Sequence, residues 1–437
     1  MLKTTDALND NTKVAPRFSP LVNNSRLYYG WIILVTATFG MIMTSPGQTY
    51  AVSIFIEHFI RDLGVNRSVV STLYTVGTLV GSFALPFVGR QIDRRGARFM
   101  VVIISAAFGL ACMYMGMVRN AVMLGIGFVA IRMLGQGSLS LVSTNVINQW
   151  WVQRRGVVLG ISGMAGALIG VGAFPNLLNW LIPLYGWRTT YMVLGAALVL
   201  IMAPVGYFFY QNRPEEFGLL PDGRKATKAK DGSSSIPPYV AEENWTLHEA
   251  IRTPIYWVFT AGLASISMLG TGLTFHMVSI FADAGLDAGL AAAAFVPVAA
   301  TQALTNLGSG FLVERIRLRT LLAMALALQA MALWLAPHLG PGWLALFYGL
   351  NLGAVFGLQR TVSSVAWAKY FGRLHLGTIA GFSSTILVGA SALGPMPMGI
   401  ARDLLGSYTT TLNLLGFVPL VLAGASLFVD RPRRREE

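Results

Sequence analysis

Gly89-Arg90-Gln91-Ile92-Asp93-Arg94-Arg95-Gly96-Ala97-Arg98 is a short, strongly basic, glycine-containing turn between two long apolar runs, 68–89 and 99–118. A degenerate copy lies 221 residues further along: Gly310, Glu314-Arg315 and Arg319 fall on Gly89, Asp93-Arg94 and Arg98. The same offset sets Gly156 and Gly160 on Gly377 and Gly381. Acid on acid and base on base at one fixed spacing marks an internal duplication. Because both copies join apolar runs, the duplicated unit reads as a membrane domain.

Composition agrees. Of 437 residues, 54% are hydrophobic and 12% charged, whereas a soluble domain carries about 25% charged residues. A soluble multidomain enzyme is therefore excluded. Cys112 is the single cysteine, so no intramolecular disulfide can form. The polar N-terminus holds Lys3, Lys13 and Arg17 and shows no apolar region with a small-residue cleavage site behind it. No cleavable signal peptide is expected.

Apolar runs long enough to cross about 30 Å of hydrocarbon occur at 29–56, 68–89, 99–118, 121–150, 156–182 and 188–211 (spans 1–6), and at 255–281, 288–313, 320–337, 342–369, 376–400 and 408–429 (spans 7–12). The expected fold is an all-α membrane protein with twelve transmembrane helices in two six-helix pseudo-repeats. Its parts are an N-terminal arm over 1–28, bundles over 29–211 and 254–430, a linker over 212–253 and a basic tail over 431–437. Thr246-Leu247-His248-Glu249 reads as a capping box opening a short helix before span 7.

Lysine and arginine set the orientation. With both termini cytoplasmic, only Arg61, Arg67, Arg119, Arg188 and Arg402 fall outside, and Arg132 and Arg360 lie within spans; the rest of the 32 basic residues face the cytoplasm. The net charge of +13 is thus mainly a topology signal. The tail Arg431-Pro432-Arg433-Arg434-Arg435 suits anionic lipid headgroups rather than nucleic acid.

The Gly89–Arg98 turn resembles the signature loop between spans 2 and 3 of the major facilitator superfamily, and the resemblance runs over essentially the whole chain. Within that superfamily the chain is similar to the bacterial monocarboxylate-transporter-like and oxalate/formate-antiporter-like groups. The residues carrying this are Tyr29-Gly30-Trp31, Trp150-Trp151 with Arg154-Arg155-Gly156, Gly186-Trp187-Arg188, Arg213-Pro214-Glu215-Glu216 with Pro221-Asp222-Gly223, the run Trp367–Gly377, and Asp403 with Gly406-Ser407-Tyr408. The resemblance implies a secondary carrier working by alternating access in the bacterial inner membrane, with a monomeric functional unit and no cofactor. Those groups commonly carry a binding Arg in span 8, or a Lys in span 1 or 11. Here these spans carry no such charge, and Gln302 and Asn306 are the polar residues of span 8.

The anion site therefore has to come from this chain's own charges. No acidic residue lies in the central part of a span, but Arg132 in span 4 and Arg360 in span 10 do. An arginine in mid-membrane costs at least about 2.5 kcal/mol and should face the bundle interior or water. With no carboxylate at that level, the substrate is expected to bring the negative charge, and the guanidinium fork suits a carboxylate. Arg360 is the expected anchor. Arg132 either contacts substrate or bonds backbone carbonyls and gates the cavity. His276 in span 7 matches Tyr50 of span 1 at an offset of 226, and both are pore candidates. His276 is also the candidate for proton coupling. Gln48, Gln302 and Asn306 are further hydrogen-bonding candidates. Asp93 with Gly89, Arg94 and Arg98 is expected to latch the two halves at the cytoplasmic face.

The expected function is transport of a small organic anion, a monocarboxylate such as lactate or pyruvate, with proton symport, exchange and facilitated movement all open. If both arginines face the cavity, a dicarboxylate such as oxalate becomes the cargo. A drug exporter would benefit from a buried carboxylate, which is lacking. No nucleotide loop, metal cluster or nucleophile–base pair emerges.

Overall fold

The computed structural model describes residues 18–429 except 26, 66, 224–226, 229–233, 236–242, 287–289, 291–293, 341, 395–397, 399–404 and 406. The basic arm residues Lys3, Lys13 and Arg17, the tail 431–437, and Pro395, Gly399, Arg402, Asp403 and Gly406 lie outside the described residues.

Among the described residues, ten helices are long and apolar enough to cross a membrane. Two more long helices, Phe295–Arg315 and Trp343–Phe371, coincide with spans 8 and 10. They carry polar side chains along their length: Gln302 and Asn306, then Asn351, Gln359 and Arg360. In lipid every backbone N–H and C=O must be satisfied within its own segment, so the apolar runs become helices. One departure from an all-helical chain is a two-residue antiparallel pair in the linker, Thr227–Lys228 with Ser234–Ser235. The capping box forms as expected, with Thr246 and Glu249 bonding reciprocally ahead of the helix Leu247–Ala250.

Span 1 differs from the continuous run read in sequence. It is a helix over Gly30–Ile42, a single turn over Ser45–Gly47, and a second helix over Thr49–Leu63. Pro46 has no N–H for the Ile42 carbonyl, and the Ser45 hydroxyl donates to that carbonyl at 2.6 Å instead. Span 7 breaks likewise. Pro254–Phe275 ends at His276, which has non-helical dihedrals, and Met277–Asp283 continues beyond it. Tyr50 and His276, matched at the 226-residue offset, thus both sit at breaks. Discontinuous helices of this kind commonly border transporter binding sites.

The two halves meet along two seams. Span 5 (Arg155–Ala173) packs on span 8, and span 11 (Leu376–Leu393) packs on span 2, whose inner helix is Leu85–Arg95. Glycines set the closeness of both seams. Gly89 meets the backbone of Gly377, and a Cβ built on Gly377 would stand 2.5 Å from the Gly89 carbonyl oxygen. At the duplicated positions, a Cβ on Gly310 would stand 2.5 Å from the Gly156 carbonyl oxygen. These contacts lie at the end of the bundle that carries the basic turns, here called the basic end. At the far end, Thr49–Leu63 and Met277–Asp283 share no substantial packing contact among the described residues. Among the described residues, the closest backbone approaches between the halves lie at the basic end.

Several of the residues that carried the subgroup resemblance are fastenings within the halves. Trp150 Nε1 donates to the Gln211 carbonyl, Trp151 Nε1 to the Gly30 carbonyl and the Tyr28 hydroxyl to the Trp150 carbonyl. Asp222, in the linker, accepts from the backbone N–H groups of Val152, Gln153 and Arg154. At the far end Trp187 Nε1 and Arg188 both donate to Asp62, tying span 1 to the start of span 6.

Candidate functional site

Arg360 sits on span 10 and reaches across to the other half. Its Nη2 lies 3.7 Å from the Met41 sulfur of span 1, and a Cβ on Gly166 of span 5 would lie 3.9 Å from the same nitrogen. The Tyr50 hydroxyl is near enough to interact with it electrostatically. Arg360 is half-buried, and no carboxylate pairs with it among the described residues. Its level follows from its neighbour, since Gln359 Nε2 donates to Ser267 Oγ of span 7 at 2.7 Å. A charged fork thus stands between the halves with a thioether and a glycine facing it.

Arg132 points elsewhere. It is 4% exposed. Nη1 donates to the Gly47 carbonyl at 2.9 Å and Nε to Thr78 Oγ1 at 2.9 Å, with Thr49 Oγ1 at 3.4 Å. The Tyr74 ring lies under the guanidinium, 4.7 Å from centroid to Cζ. Breaking span 1 at Pro46-Gly47 leaves the Gly47 carbonyl without a helical donor, and Arg132 supplies one. Replacing Arg132 with Met is expected to strand that carbonyl and destabilise the N-terminal half by about 1–3 kcal/mol. The check is thermal unfolding in detergent; an unchanged melting temperature would remove this role.

The other candidates divide. Tyr50 shares the level of Arg360, and its hydroxyl is 2.9 Å from Ser45 Oγ. Gln48 is bonded to Thr44 Oγ1 at 3.0 Å. Gln302 is half-buried on span 8, where Gly353 and Gly357 of span 10 approach its backbone. Asn306 is buried against Gly163 of span 5. His276 lies apart, about 13 Å along span 7 from Ser267 toward the far end at 1.5 Å per residue, with its Nδ1 3.2 Å from the Tyr408 hydroxyl. It is not brought together with Arg360.

At the basic end Asp93 crosses the span 2–span 11 seam. Its carboxylate accepts from the Gly377 N–H at 2.8 Å, the Thr378 N–H at 2.7 Å and the Thr378 hydroxyl at 2.6 Å. This is an acid on a helix N-terminus. Its duplicate, Glu314, lies on the other seam near the Val157 N–H at the start of span 5. The flanking arginines do not join. Arg94 is exposed, and Arg98 donates to the Tyr207 carbonyl within its own half and lies over the Tyr207 ring. Sequence reasoning passed over Arg373 as a gate residue. It donates to the Gln149 carbonyl at 2.6 Å and pairs with Glu215 of the linker at 2.8 Å. Its place inside the Trp367–Gly377 run was the available signal.

A family model described as the Major Facilitator Superfamily matches residues 31–395. The chain is 24% identical over 260 residues to the oxalate:formate antiporter of Oxalobacter formigenes, covering 60% of this chain and 57% of that protein, just over half its length. It is 25% identical over 422 residues to monocarboxylate transporter 13 of Rattus norvegicus, covering 92% and 89%. In fold it is similar to the human organic anion transporter MFSD10, with a TM-score of 0.66 at 14% identity, covering 91% of this chain and 99% of that one.

Proposed function

The chain belongs to the Major Facilitator Superfamily, a multi-pass membrane transporter and not an enzyme, and from that premise we propose that it carries a small monocarboxylate by alternating access. The observation that carries this reading is Arg360: one half-buried guanidinium, reaching from one half toward the other, with no carboxylate paired to it among the described residues. The second arginine is already bonded to Gly47 and Thr78, so one anchor faces the cavity and one negative charge balances it. Spans 8 and 10 complete twelve crossings, and both termini are cytoplasmic. The closed basic end then makes this the outward-open state.

Uptake of labelled mono- and dicarboxylates into proteoliposomes tests the reading. Saturable uptake of a short monocarboxylate supports it, and no acid uptake by folded protein sinks it. Similarity to the oxalate:formate antiporter favours a second reading, exchange of a dicarboxylate. Trans-stimulation by internal oxalate, with no net monocarboxylate uptake, would decide for that one.

Asp93 latches the outward-open state through the span 11 N-terminus. Asp93→Asn removes a charge from three hydrogen bonds, worth about 1.5–3 kcal/mol for a charged acceptor. Transport is expected to fall by roughly an order of magnitude or more while the purified protein stays monodisperse. Unaltered transport would remove the latch role.

A further inference from the structure

Four buried carboxamides, three on span 4 and one on span 8, lie where the two halves meet, and among the described residues each leaves hydrogen-bonding capacity unmet. Asn145 is 4% exposed, Asn148 1%, Gln149 5% and Asn306 1%. Among the described residues, Asn145 Nδ2, Asn148 Oδ1, Gln149 Oε1 and both Asn306 side-chain atoms have no partner. Native interiors hold few such atoms, because an unpaired buried donor or acceptor is unfavourable. The row needs a reason.

Its position supplies one. Asn145, Asn148 and Gln149 share one face of span 4, at spacings of three and four residues. Asn148 donates to the Ser364 carbonyl of span 10, one turn from Arg360 toward the basic end. Gln149 donates to the Arg373 carbonyl, further along the same side. Asn306 abuts Gly163, one turn of span 5 below the Gly166 that faces Arg360. The carboxamides therefore descend from the anchor to the basic end, on surfaces from both halves. When the halves part there, this face is uncovered, and amide N–H groups suit a carboxylate or the water around it.

We propose that Asn306, Asn145, Asn148 and Gln149 line the route by which a carboxylate leaves Arg360 toward the basic end, a route opened when the seam parts. This rests on the carrier reading above. Their unmet capacity also disfavours the closed seam, so the same residues ease its opening.

Thiol accessibility tests it in the full-length protein. In a Cys112→Ala background no other cysteine remains, and Asn148→Cys or Asn306→Cys is added singly and reconstituted. Sulfonatoethyl methanethiosulfonate is applied from the basic side. Labelling is expected to quicken about tenfold or more when Asp93→Asn is added, and to run several-fold faster than with the trimethylammonium analogue. A transported acid should slow it. If Asn306→Cys does not fold, Asn148→Cys carries the test. Absent labelling from the basic side, labelling from the far side, or no preference for the anionic reagent overturns the route. Labelling that behaves as expected while no acid is taken up overturns the carboxylate cargo instead, so the two failures are separable.

Discussion

Arg360→Gln lowers uptake of the transported acid by about 30-fold to several thousand-fold, with the protein still folded. The range follows from the cost of removing one partner of a desolvated, hydrogen-bonded charge pair, about 2–5 kcal/mol, converted at about 1.4 kcal/mol per factor of ten. Gln keeps hydrogen-bonding capacity but is uncharged and two atoms shorter, so the loss reports the charged fork as a whole. Arg360→Lys is expected to recover only part of it, because a point charge cannot reproduce the two-pronged fork. The decisive comparison is uptake by proteoliposomes beside the binding of the same acid to detergent-solubilised protein. Both should fall together if Arg360 holds the carboxylate. Uptake within twofold of wild type would place the anchor elsewhere.

Gly89→Val jams the span 2–span 11 seam. A side chain at Gly89 meets the backbone carbonyl of Gly377, which cannot rotate away as a side-chain tip would. Overpacking of this kind costs about 1–3 kcal/mol or more, equivalent to roughly 5- to 150-fold in the balance between closed and open basic ends. The variant should therefore lose uptake and rest open to the basic side. Gly308→Ala is the control: a Cβ there meets nothing within 4 Å, and its uptake should match wild type within twofold. Equal behaviour of the two variants would mean that the close glycine contact does not govern closure.

The superfamily, the helical class and the internal repeat were legible in the chain, because lipid leaves a segment few ways to satisfy its backbone. Duplication also left acids and glycines at a constant spacing. The two mid-membrane arginines were equally visible. What separates them was not, since it depends on a break in another helix: Pro46-Gly47 frees a carbonyl that Arg132 takes up, and among the described residues nothing comparable engages Arg360. His276 looked equivalent to Tyr50 by alignment, yet it lies well beyond the Arg360 level, beside Tyr408.

By itself, the sequence determined which positions correspond between the halves: Gly89 with Gly310, Asp93 with Glu314, Gly156 with Gly377. Only the tertiary structure decided that these positions meet crosswise. Gly89 lies on Gly377 and Gly310 on Gly156, while Asp93 caps span 11 and Glu314 contacts the start of span 5. A repeat read along the chain reports common descent of two segments. Which face of one half closes on the other is set by the pseudo-symmetric packing of helices far apart in sequence, and by how closely two backbones can approach where neither residue has a side chain.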